Sequence, residues 1–547
     1  MSDTERLYDY NMDIWLRNCE EEIQEPIRGE VKGKLPSWLQ GTLIRNGPGR
    51  NKIGDCEYEH VFDGLALLHR FDISEGEVTY QCKFVKSETY KKNMTANRIV
   101  VTEFGTTAVP DPCRSIFDRI SSTFKLNLDR TDNTAVSVYP FGDQIYAMTE
   151  VPVIYEIDPR NLETVGKKEI ESSLIVCHTA HPHVMPNGDV YNLGLSKTNG
   201  LKHVVVKFTY SDKGDMFESA EIVGSMTPRW KLHPAYMHSF GITENFFVII
   251  EHPLSLSLLG MARRLLITAP FSSVLHSYPD EETQIVLINR MTGEETRYTA
   301  DTIFYMHIIN CFELDGKVII DLCSYKDGKI IESMYTKAIK SMQSNPEYGQ
   351  WCECRPKRIT IPLDAADSKV EVKLIADIGC EAPRINYDAY NAKPYRYFYG
   401  IGSDIDKNGS GNLVKVDTKT GEYKIWLEED TYPSEPIFVP RPGAVDEDDG
   451  VLLSSLVWGS DDHAVALLIL DARDLKEIAR VCFKTPSQAT SLTMCSVSDG
   501  LIFGQMSGMI DALSKEDNDV PLTQDDISWI GIYCCLILSA KNLSSYS

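Results

Sequence analysis

Three of the twelve histidines occur in strand-like contexts, at intervals that suit a shared metal site. His181 lies in CHTAHPHVMPNGDVYNLG, His238 in YMHSFGITENFFVIIEHP and His307 in FYMHIINCFELDGKVIIDL. Imidazole nitrogens are good ligands for iron, zinc, copper and nickel. The intervals of 57 and 69 residues each fit one sheet plus an insertion. Sheets repeated around an axis could therefore bring one histidine each to a common centre, although each histidine could equally be a hydrogen-bonded core residue.

The elements that would position these histidines are strand pairs of one recurring design. An apolar strand runs into a polar turn that begins with Asp or Asn, and a second strand follows. The segments with this pattern are 70–80, 153–165, 285–298, 413–426 and 467–481. Four-stranded sheets that close into a ring leave few open edges, so the pattern predicts one propeller of six to eight blades. Two unrelated β-sandwich domains are the alternative.

The composition restricts the class of protein. Hydrophobic residues make up 43% and charged residues 24%, which is ordinary for a folded chain and excludes a disordered or collagen-like one. The 79 acidic against 55 basic side chains give a net charge of −24, whereas a general nucleic-acid binder needs a basic face. No secretory signal or membrane-spanning run is visible, and the 14 cysteines are scattered. These features predict a cytoplasmic protein.

Nine motifs, in order along the chain, resemble the animal carotenoid cleavage oxygenases, and the resemblance extends over about residues 26–486. The motifs are LPSWLQGTLIRNGPG (35–49), HVFDGLALLHRF (60–71), EFGTTAVPDPC (103–113), TAHPH (179–183), YMHSFG (236–241), MHIINCFE (306–313), EAPRINY (381–387), PYRYFYG (394–400) and EPIFVPRPGAVDEDDGVLLS (435–454). The resemblance implies an all-β fold, namely a seven-bladed β-propeller with a helical and loop cap over the face that carries iron.

The same resemblance implies a ferrous ion (Fe²⁺) on the propeller axis, held by four histidines from four blades. Three of these ligands match His181, His238 and His307. The other histidines in the motifs, His60, His178 and His183, do not match ligand positions and are interpreted as structural.

The resemblance also implies roles for three glutamates and two tyrosines. Glu150, Glu381 and Glu435 match the carboxylates that hydrogen-bond the second ring nitrogen of the ligands. Such a carboxylate fixes the tautomer and direction of the ring and raises its basicity as a ligand. Tyr236 and Tyr325 match positions that line an apolar substrate tunnel, although both could equally be core aromatic residues.

The expected fourth histidine has no counterpart in this sequence. The segment IARVCFKTPS (478–487) matches the family, but QATSLTMCSVSDGL follows it without a histidine. The last histidine is His463, in a polar loop that does not match the ligand. We therefore divide the chain into an acidic N-terminal arm (1–25), a propeller domain (26–487) and a divergent tail (488–547). With three ligands only, weakened iron binding and slow catalysis are expected.

The implied reaction inserts O₂ across a polyene double bond and yields two aldehydes, and β-carotene cleaved to retinal is the favoured case. Eccentric carotenoid cleavage and retinoid isomerohydrolase or isomerooxygenase activity are alternatives within the family. The missing histidine raises an alternative of another class, a catalytically impaired carotenoid-binding protein.

Residues 255–278 predict a peripheral membrane contact. Leucines flank the adjacent Arg263 and Arg264 there, a pattern typical of a surface that inserts partly into one leaflet of a membrane. A helical cap packed on the propeller is the alternative.

Overall fold

The computed structural model describes residues 7–109, 131–170, 174–211, 215–264, 267–365, 368–405 and 411–490, together with the backbone of 501–503. By spatial clustering the chain divides into residues 1–502 and 503–547. The predicted tail therefore lies outside the described residues, apart from 488–490 and 501–503.

The described part of the chain is built mainly from β-strands, numbered here in chain order. The strands are β1 (Ile23–Arg28), β2 (Glu30–Gly33), β3 (Gly41–Arg50), β4 (Lys52–Ile53), β5 (Cys56–Glu57), β6 (Leu65–Ser74), β7 (Glu77–Phe84), β8 (Ser137–Phe141), β9 (Gln144–Met148), β10 (Val153–Ile157), β11 (Thr164–Glu169), β12 (Cys177–His178), β13 (His183–Val184), β14 (Val190–Ser196), β15 (Lys202–Phe208), β16 (Glu221–Met226), β17 (Gly241–Ile242), β18 (Phe246–Glu251), β19 (Leu254–Leu256), β20 (Leu275–Ser277), β21 (Thr283–Asn289), β22 (Glu295–Ala300), β23 (Phe304–Leu314), β24 (Lys317–Tyr325), β25 (Cys354–Pro362), β26 (Val372–Leu374), β27 (Glu381–Arg384), β28 (Tyr397–Ile401), β29 (Asn412–Asp417), β30 (Tyr423–Leu427), β31 (Thr431–Pro433), β32 (Ile437–Pro440), β33 (Gly450–Trp458), β34 (Ala464–Asp471), β35 (Glu477–Lys484) and β36 (Leu501–Phe503).

These strands form the seven blades of a β-propeller, which confirms the predicted fold class. Blade 1 has the strand order β1–β7–β6–β3–β36, blade 2 β11–β10–β9–β8, and blade 3 β12–β14–β15–β16 with β13 also on β14. Blade 4 is β17–β18–β21–β22, blade 5 β23–β24–β25–β26 and blade 6 β27–β28–β29–β30. Blade 7 is β2–β35–β34–β33–β31, with β32 also on β33. The short ribbons β4–β5 and β19–β20 lie outside the blades.

The five predicted hairpins are all present as neighbouring antiparallel strands. They are β6–β7, β10–β11, β21–β22, β29–β30 and β34–β35. In two of the turns, Gly293 and Gly421 have φ angles of 73° and 77°, a left-handed conformation that glycine adopts without a steric penalty. The turn residues of the sequence thus fixed the strand pairing locally.

The N-terminal strands join the first and last blades. Strand β1 pairs with β7 in blade 1, and β2 pairs with β35 in blade 7. Gly29 separates the two strands, and a Cβ atom there would lie 2.3 Å from Val481. Only glycine therefore allows the backbone to pass this close to blade 7.

The described residues of the predicted N-terminal arm pack against the rest of the fold. A 3-10 helix covers Met12–Leu16, and the side chains of Met12, Ile14 and Trp15 are buried. Strand β1 begins at Ile23, inside the predicted arm. The two boundaries between the three predicted regions stay a prediction.

The helices of the described residues are short and lie between strands. The α-helices are α1 (Glu88–Ala96), α2 (Leu258–Arg264), α3 (Lys329–Ser333), α4 (Thr336–Lys340), α5 (Tyr348–Cys352) and α6 (Tyr387–Tyr390), and further 3-10 helices cover Val61–Asp63, Met216–Ser219, Phe271–Val274 and Met342–Ser344. Helices α3 to α5 share one buried apolar cluster with Tyr236 and the N-terminal aromatic residues. No helix among the described residues is long and apolar enough to cross a membrane.

Candidate metal centre

The three predicted ligand histidines come together on the inner side of blades 3, 4 and 5. His181 lies between β12 and β13, His238 precedes β17, and His307 lies within β23. One nitrogen of each ring lies within 4.8 Å of the others. Throughout the described ranges, no other cluster of three or more His, Cys, Asp or Glu side chains has this arrangement. One imidazole from each of three successive blades thus lies at a common centre.

Two of the predicted glutamates orient two of these rings. Glu150 Oε1 lies 2.7 Å from Nδ1 of His238, and Glu381 Oε2 lies 2.6 Å from Nδ1 of His307. A carboxylate in this position accepts a hydrogen bond from Nδ1–H, so the lone pair of Nε2 is left for a metal. Tyr236 donates its hydroxyl hydrogen to the same Glu150 oxygen at 2.7 Å, which fixes that carboxylate in turn.

The spacing of His181 and His238 and the charge of these two rings fit a divalent transition metal. Nε2 of His181 and Nε2 of His238 are 2.9 Å apart. Metal–nitrogen bonds of about 2.1 Å that meet near a right angle would separate two nitrogens by about 3.0 Å. Burial lowers the pKa of His181 well below its ordinary value and also lowers the pKa of His238. Both rings are therefore neutral at physiological pH and can act as ligands.

The third predicted glutamate has arginine partners instead of a histidine. Glu435 is buried, and its Oε1 accepts a hydrogen bond from Arg384 Nε at 2.7 Å. Arg45 donates from Nη1 to the Glu435 carbonyl oxygen at 2.9 Å, and its Nη2 is 3.8 Å from Glu435 Oε2. Arg384 also hydrogen-bonds the hydroxyl of Tyr139. Glu435 is thus held by an arginine pair at the edge of the metal centre.

The two predicted tunnel residues lie in different surroundings. Tyr236 reaches the metal centre through Glu150. Tyr325 is fully buried at the end of β24, where it packs against Phe304 and hydrogen-bonds the thiol of Cys354. A role of either residue in lining a substrate tunnel stays a prediction.

The remaining histidines of the quoted motifs make structural contacts. His60 Nε2 lies 3.1 Å from the carbonyl oxygen of Ile331, and His183 bonds the Tyr387 hydroxyl at 2.8 Å. His178 Nδ1 lies 2.7 Å from the carbonyl oxygen of Thr179. The side chain of His463 is 47% exposed, next to Asp462. None of these four belongs to the cluster of His181, His238 and His307.

Sequence reasoning did not assign the two arginines. Arg45 stands in the quoted motif LIRNGPG and Arg384 in EAPRINY. An arginine inside an otherwise apolar strand, as in TLIRNG, predicts a buried ion pair, because burial of an unpaired charge is costly. That signal could have identified the arginines, although not the carboxylate that they bind.

The chain is similar in sequence to known proteins over most of its length. Residues 16–490 match the family described as Retinal pigment epithelial membrane protein, RPE65. The carotenoid isomerooxygenase of Galleria mellonella is 57% identical over 491 residues, covering 88% of this chain and 96% of that protein. The carotenoid isomerooxygenase of Drosophila melanogaster is 40% identical, covering 88% and 92%. The β,β-carotene 15,15'-dioxygenase of Gallus gallus is 38% identical, covering 85% and 94%.

Solved structures share the fold. A mutant of Synechocystis apocarotenoid oxygenase matches with a TM-score of 0.75 and 24% identity, covering 91% of this chain and 100% of that one. A cobalt-substituted form of the same protein matches with a TM-score of 0.74 and 24% identity, over 91% and 98%. At this identity the likeness supports the propeller fold alone.

Proposed function

The chain belongs to the carotenoid oxygenase family described as Retinal pigment epithelial membrane protein, and on that premise we propose that it cleaves a carotenoid with iron(II) and O₂. The favoured reaction is the central cleavage of β-carotene to retinal. Both oxygen atoms of O₂ end in the aldehyde groups of two retinal molecules, so the equation balances without a further reductant.

The observation that carries this proposal is the convergence of His181, His238 and His307, two of them oriented by buried or half-buried carboxylates. Iron(II) bound there supplies the activation of O₂. The protein supplies three imidazole donors, which bring no negative charge to the ion and leave positions open for other ligands. Glu150 and Glu381 hold the protons on Nδ1 of their histidines, so that Nε2 stays available.

The favoured substrate is an apolar polyene. The substrate offers no group to protonate, so the chemistry needs no acid–base pair. The pKa of Tyr236 is raised well above its ordinary value, because the side chain is buried and lies beside Glu150. The residue therefore stays a neutral phenol, and its hydroxyl hydrogen bond positions Glu150. Specificity is expected to come from the shape of an apolar tunnel.

Cleavage coupled to isomerisation is the second candidate. Two relatives with 57% and 40% identity bear the name carotenoid isomerooxygenase. The same metal site would serve both reactions, and the geometrical isomer of the product separates them.

Incubation of the full chain, loaded with Fe²⁺, with β-carotene in detergent under air tests the proposal. Retinal in the all-trans form alone indicates central cleavage, and a cis isomer beside it indicates an isomerooxygenase. Apocarotenals would mean eccentric cleavage, and bound but unchanged β-carotene would mean a carotenoid carrier. The His307→Ala variant is the control that should form no product.

Peripheral membrane contact is proposed for the surface around α2. Leu259 is 67% exposed and Leu232 is 55% exposed. Arg263, near the end of α2, and Ile267, which follows α2 in the sequence, are exposed as well. Leu265 and Leu266, which contributed to the prediction, lie outside the described residues. An apolar surface of this kind would let the protein take a lipid-soluble substrate from one leaflet.

A further inference from the structure

The ion-pair cluster of Arg384, Glu435 and Arg45 breaks the pattern of the metal centre. Each of the other two predicted glutamates contacts a ligand histidine, whereas Glu435 contacts arginines. The sequence has no histidine after His463 that could take this place. Glu435 must therefore have a role other than the orientation of a ligand histidine.

Arg384 lies at the propeller axis. It belongs to blade 6, yet it hydrogen-bonds Glu435 next to the inner strands of blade 7 and Tyr139 on the inner strand of blade 2. Blades 6 and 2 are not neighbours in a ring of seven, so a side chain that contacts both must cross the central axis. Burial lowers the pKa of His181, and the positive charge of Arg384 helps to lower it further, whereas burial raises the pKa of Glu435 and His307 offsets part of that rise. Both Arg384 and Glu435 therefore lie beside the three histidines.

A local distortion of β27 aims Arg384 at this position. In a regular strand, residues three apart point to opposite faces. The pairing of β27 with β28 shifts register between Glu381 and Arg384, and Ala382 has a φ of 49°. The shift allows both Glu381 and Arg384 to reach the axis. A non-glycine residue rarely adopts this conformation, which persists where the surrounding structure requires it, often at functional sites.

A buried carboxylate beside a divalent cation would ordinarily bind it. Carboxylates complete many non-haem iron(II) sites that also contain histidines. Yet Glu435 is not part of the group whose ligand atoms converge. Its Oε1 is instead held by the Nε–H of Arg384 at 2.7 Å. Charge-assisted hydrogen bonds of this type are strong enough to decide between two orientations of a side chain.

We propose that Arg384 is a positioning residue that holds the Glu435 carboxylate away from the metal, so that the centre keeps three protein ligands from the propeller and an open side. The inference rests on the proposed function, because it assumes a metal at the three histidines. Arg45 supports it by fixing the main chain at Glu435 through the carbonyl oxygen. Arg384 also neutralises the negative charge of Glu435, a carboxylate that has no histidine ring to orient.

The test uses the full chain loaded with Co²⁺, whose absorption spectrum reports the number and type of ligands. The variants are Arg384→Gln, Glu435→Gln and the double variant Arg384→Gln/Glu435→Gln. Arg358→Gln is the matched control, because Arg358 forms a two-bond ion pair with buried Asp321 at 2.7 Å, outside the metal centre. Metal content and Co²⁺ affinity are measured on the same samples.

We expect Arg384→Gln to change the Co²⁺ spectrum and to tighten Co²⁺ binding at least tenfold, because the freed carboxylate becomes a ligand. The double variant, Glu435→Gln and Arg358→Gln should all keep the wild-type spectrum. A purely structural ion pair would not predict the return of the wild-type spectrum in the double variant.

An unchanged spectrum in Arg384→Gln, or a changed one in Glu435→Gln, would overturn the proposal. The Glu435→Gln spectrum stays decisive if Arg384→Gln does not fold, because the Glu435→Gln variant keeps Arg384. Failure of the wild-type chain to bind Co²⁺ would overturn the metal site and this inference together. Normal spectra without any carotenoid cleavage would overturn the proposed function alone.

Discussion

Glu381 Oε2 lies 2.6 Å from Nδ1 of His307, across a separation of 74 residues in the sequence. The contact joins the first strand of blade 6 to the first strand of blade 5 and so links ring orientation to the packing of two blades. Both side chains are almost fully buried, at 2% and 11% exposure, so water competes little for the hydrogen bond.

Replacement of Glu381 by Gln is expected to lower metal affinity by about 10- to 100-fold, as is usual for a carboxylate that orients a metal-binding histidine. The amide keeps the volume but loses the charge that favours Nδ1–H. Isothermal titration with Co²⁺ measures the effect. Glu313→Gln is the control, since Glu313 accepts hydrogen bonds from Thr243 and Asn245 away from the centre. Equal losses in both variants would contradict an orienting role.

Removal of any one ligand imidazole should abolish most metal binding. We expect His181→Ala, His238→Ala and His307→Ala each to reduce the iron content of the purified protein at least tenfold, because two donors hold a divalent ion poorly. Elemental analysis of each variant measures this. His178→Gln is the control, since His178 bonds the carbonyl oxygen of Thr179 and lies outside the ligand group. Loss of iron in that control would show that the ligand set is wrong.

The contribution of Asp63 to the stability of the fold should fall as the pH rises from about 4 to about 7, whereas buried histidines such as His60 and His69, whose pKa values burial lowers to about 3, contribute the opposite trend. Burial raises the pKa of Asp63 from 3.8 to about 7, although Thr106 and Gly105 donate hydrogen bonds to it. The folded state then binds this proton more tightly than the unfolded state, so the contribution of Asp63 is complete at low pH and falls as its carboxyl ionises. The shift corresponds to a loss on the order of 4 kcal/mol.

The neutral variant Asp63→Asn isolates this effect. Between pH 5 and pH 8, its midpoint of thermal unfolding should rise relative to that of the wild type. Burial raises the pKa of neighbouring Glu103 as well, and that contribution is common to both proteins. Parallel pH profiles for the two proteins would exclude Asp63 as a source.

Much of the fold could be predicted because its signals are local. Each hairpin carries its own turn residues, and five copies of one design indicate a ring of sheets. The pairing of β10 with β11 and of β29 with β30 follows directly from that design. The two intervals between the histidines indicated one histidine per blade, and the family resemblance indicated which histidines and glutamates to expect at the centre.

The surroundings of Glu435 could not be predicted, because they depend on contacts between distant segments. Arg45 precedes Glu435 by 390 residues, and Arg384 precedes it by 51. The register shift that aims Arg384 at the axis occurs at Ala382, a residue type that gives no signal of a positive φ. Sequence matching therefore named Glu435 but assigned it an imidazole partner that the described residues do not provide.

Membrane association should depend on the exposed apolar residues near α2. We expect the triple variant Leu232→Asn/Leu259→Asn/Ile267→Asn to lose flotation with phospholipid vesicles, because each change removes apolar area that would enter the bilayer. Met291→Asn is the control, since Met291 is 88% exposed on a turn of blade 4. If the triple variant floats like the wild type, another surface binds the membrane.

The chain as it stands should bind iron more weakly than a relative with a fourth histidine, and it should cleave carotenoid slowly. The loss of one imidazole removes a neutral donor, which lowers affinity for the ion. A single substitution to histidine is not expected to restore it, because the match to the family ends at residue 490. A chimera in which residues 488–547 are replaced by a relative's histidine-bearing segment should gain both iron and retinal yield. Side-by-side iron content and product formation measure this, with a chimera whose transferred histidine is changed to alanine as the control. Full activity of the unmodified chain would contradict the prediction and would show that three histidines, with Glu435 held aside by Arg384, are sufficient.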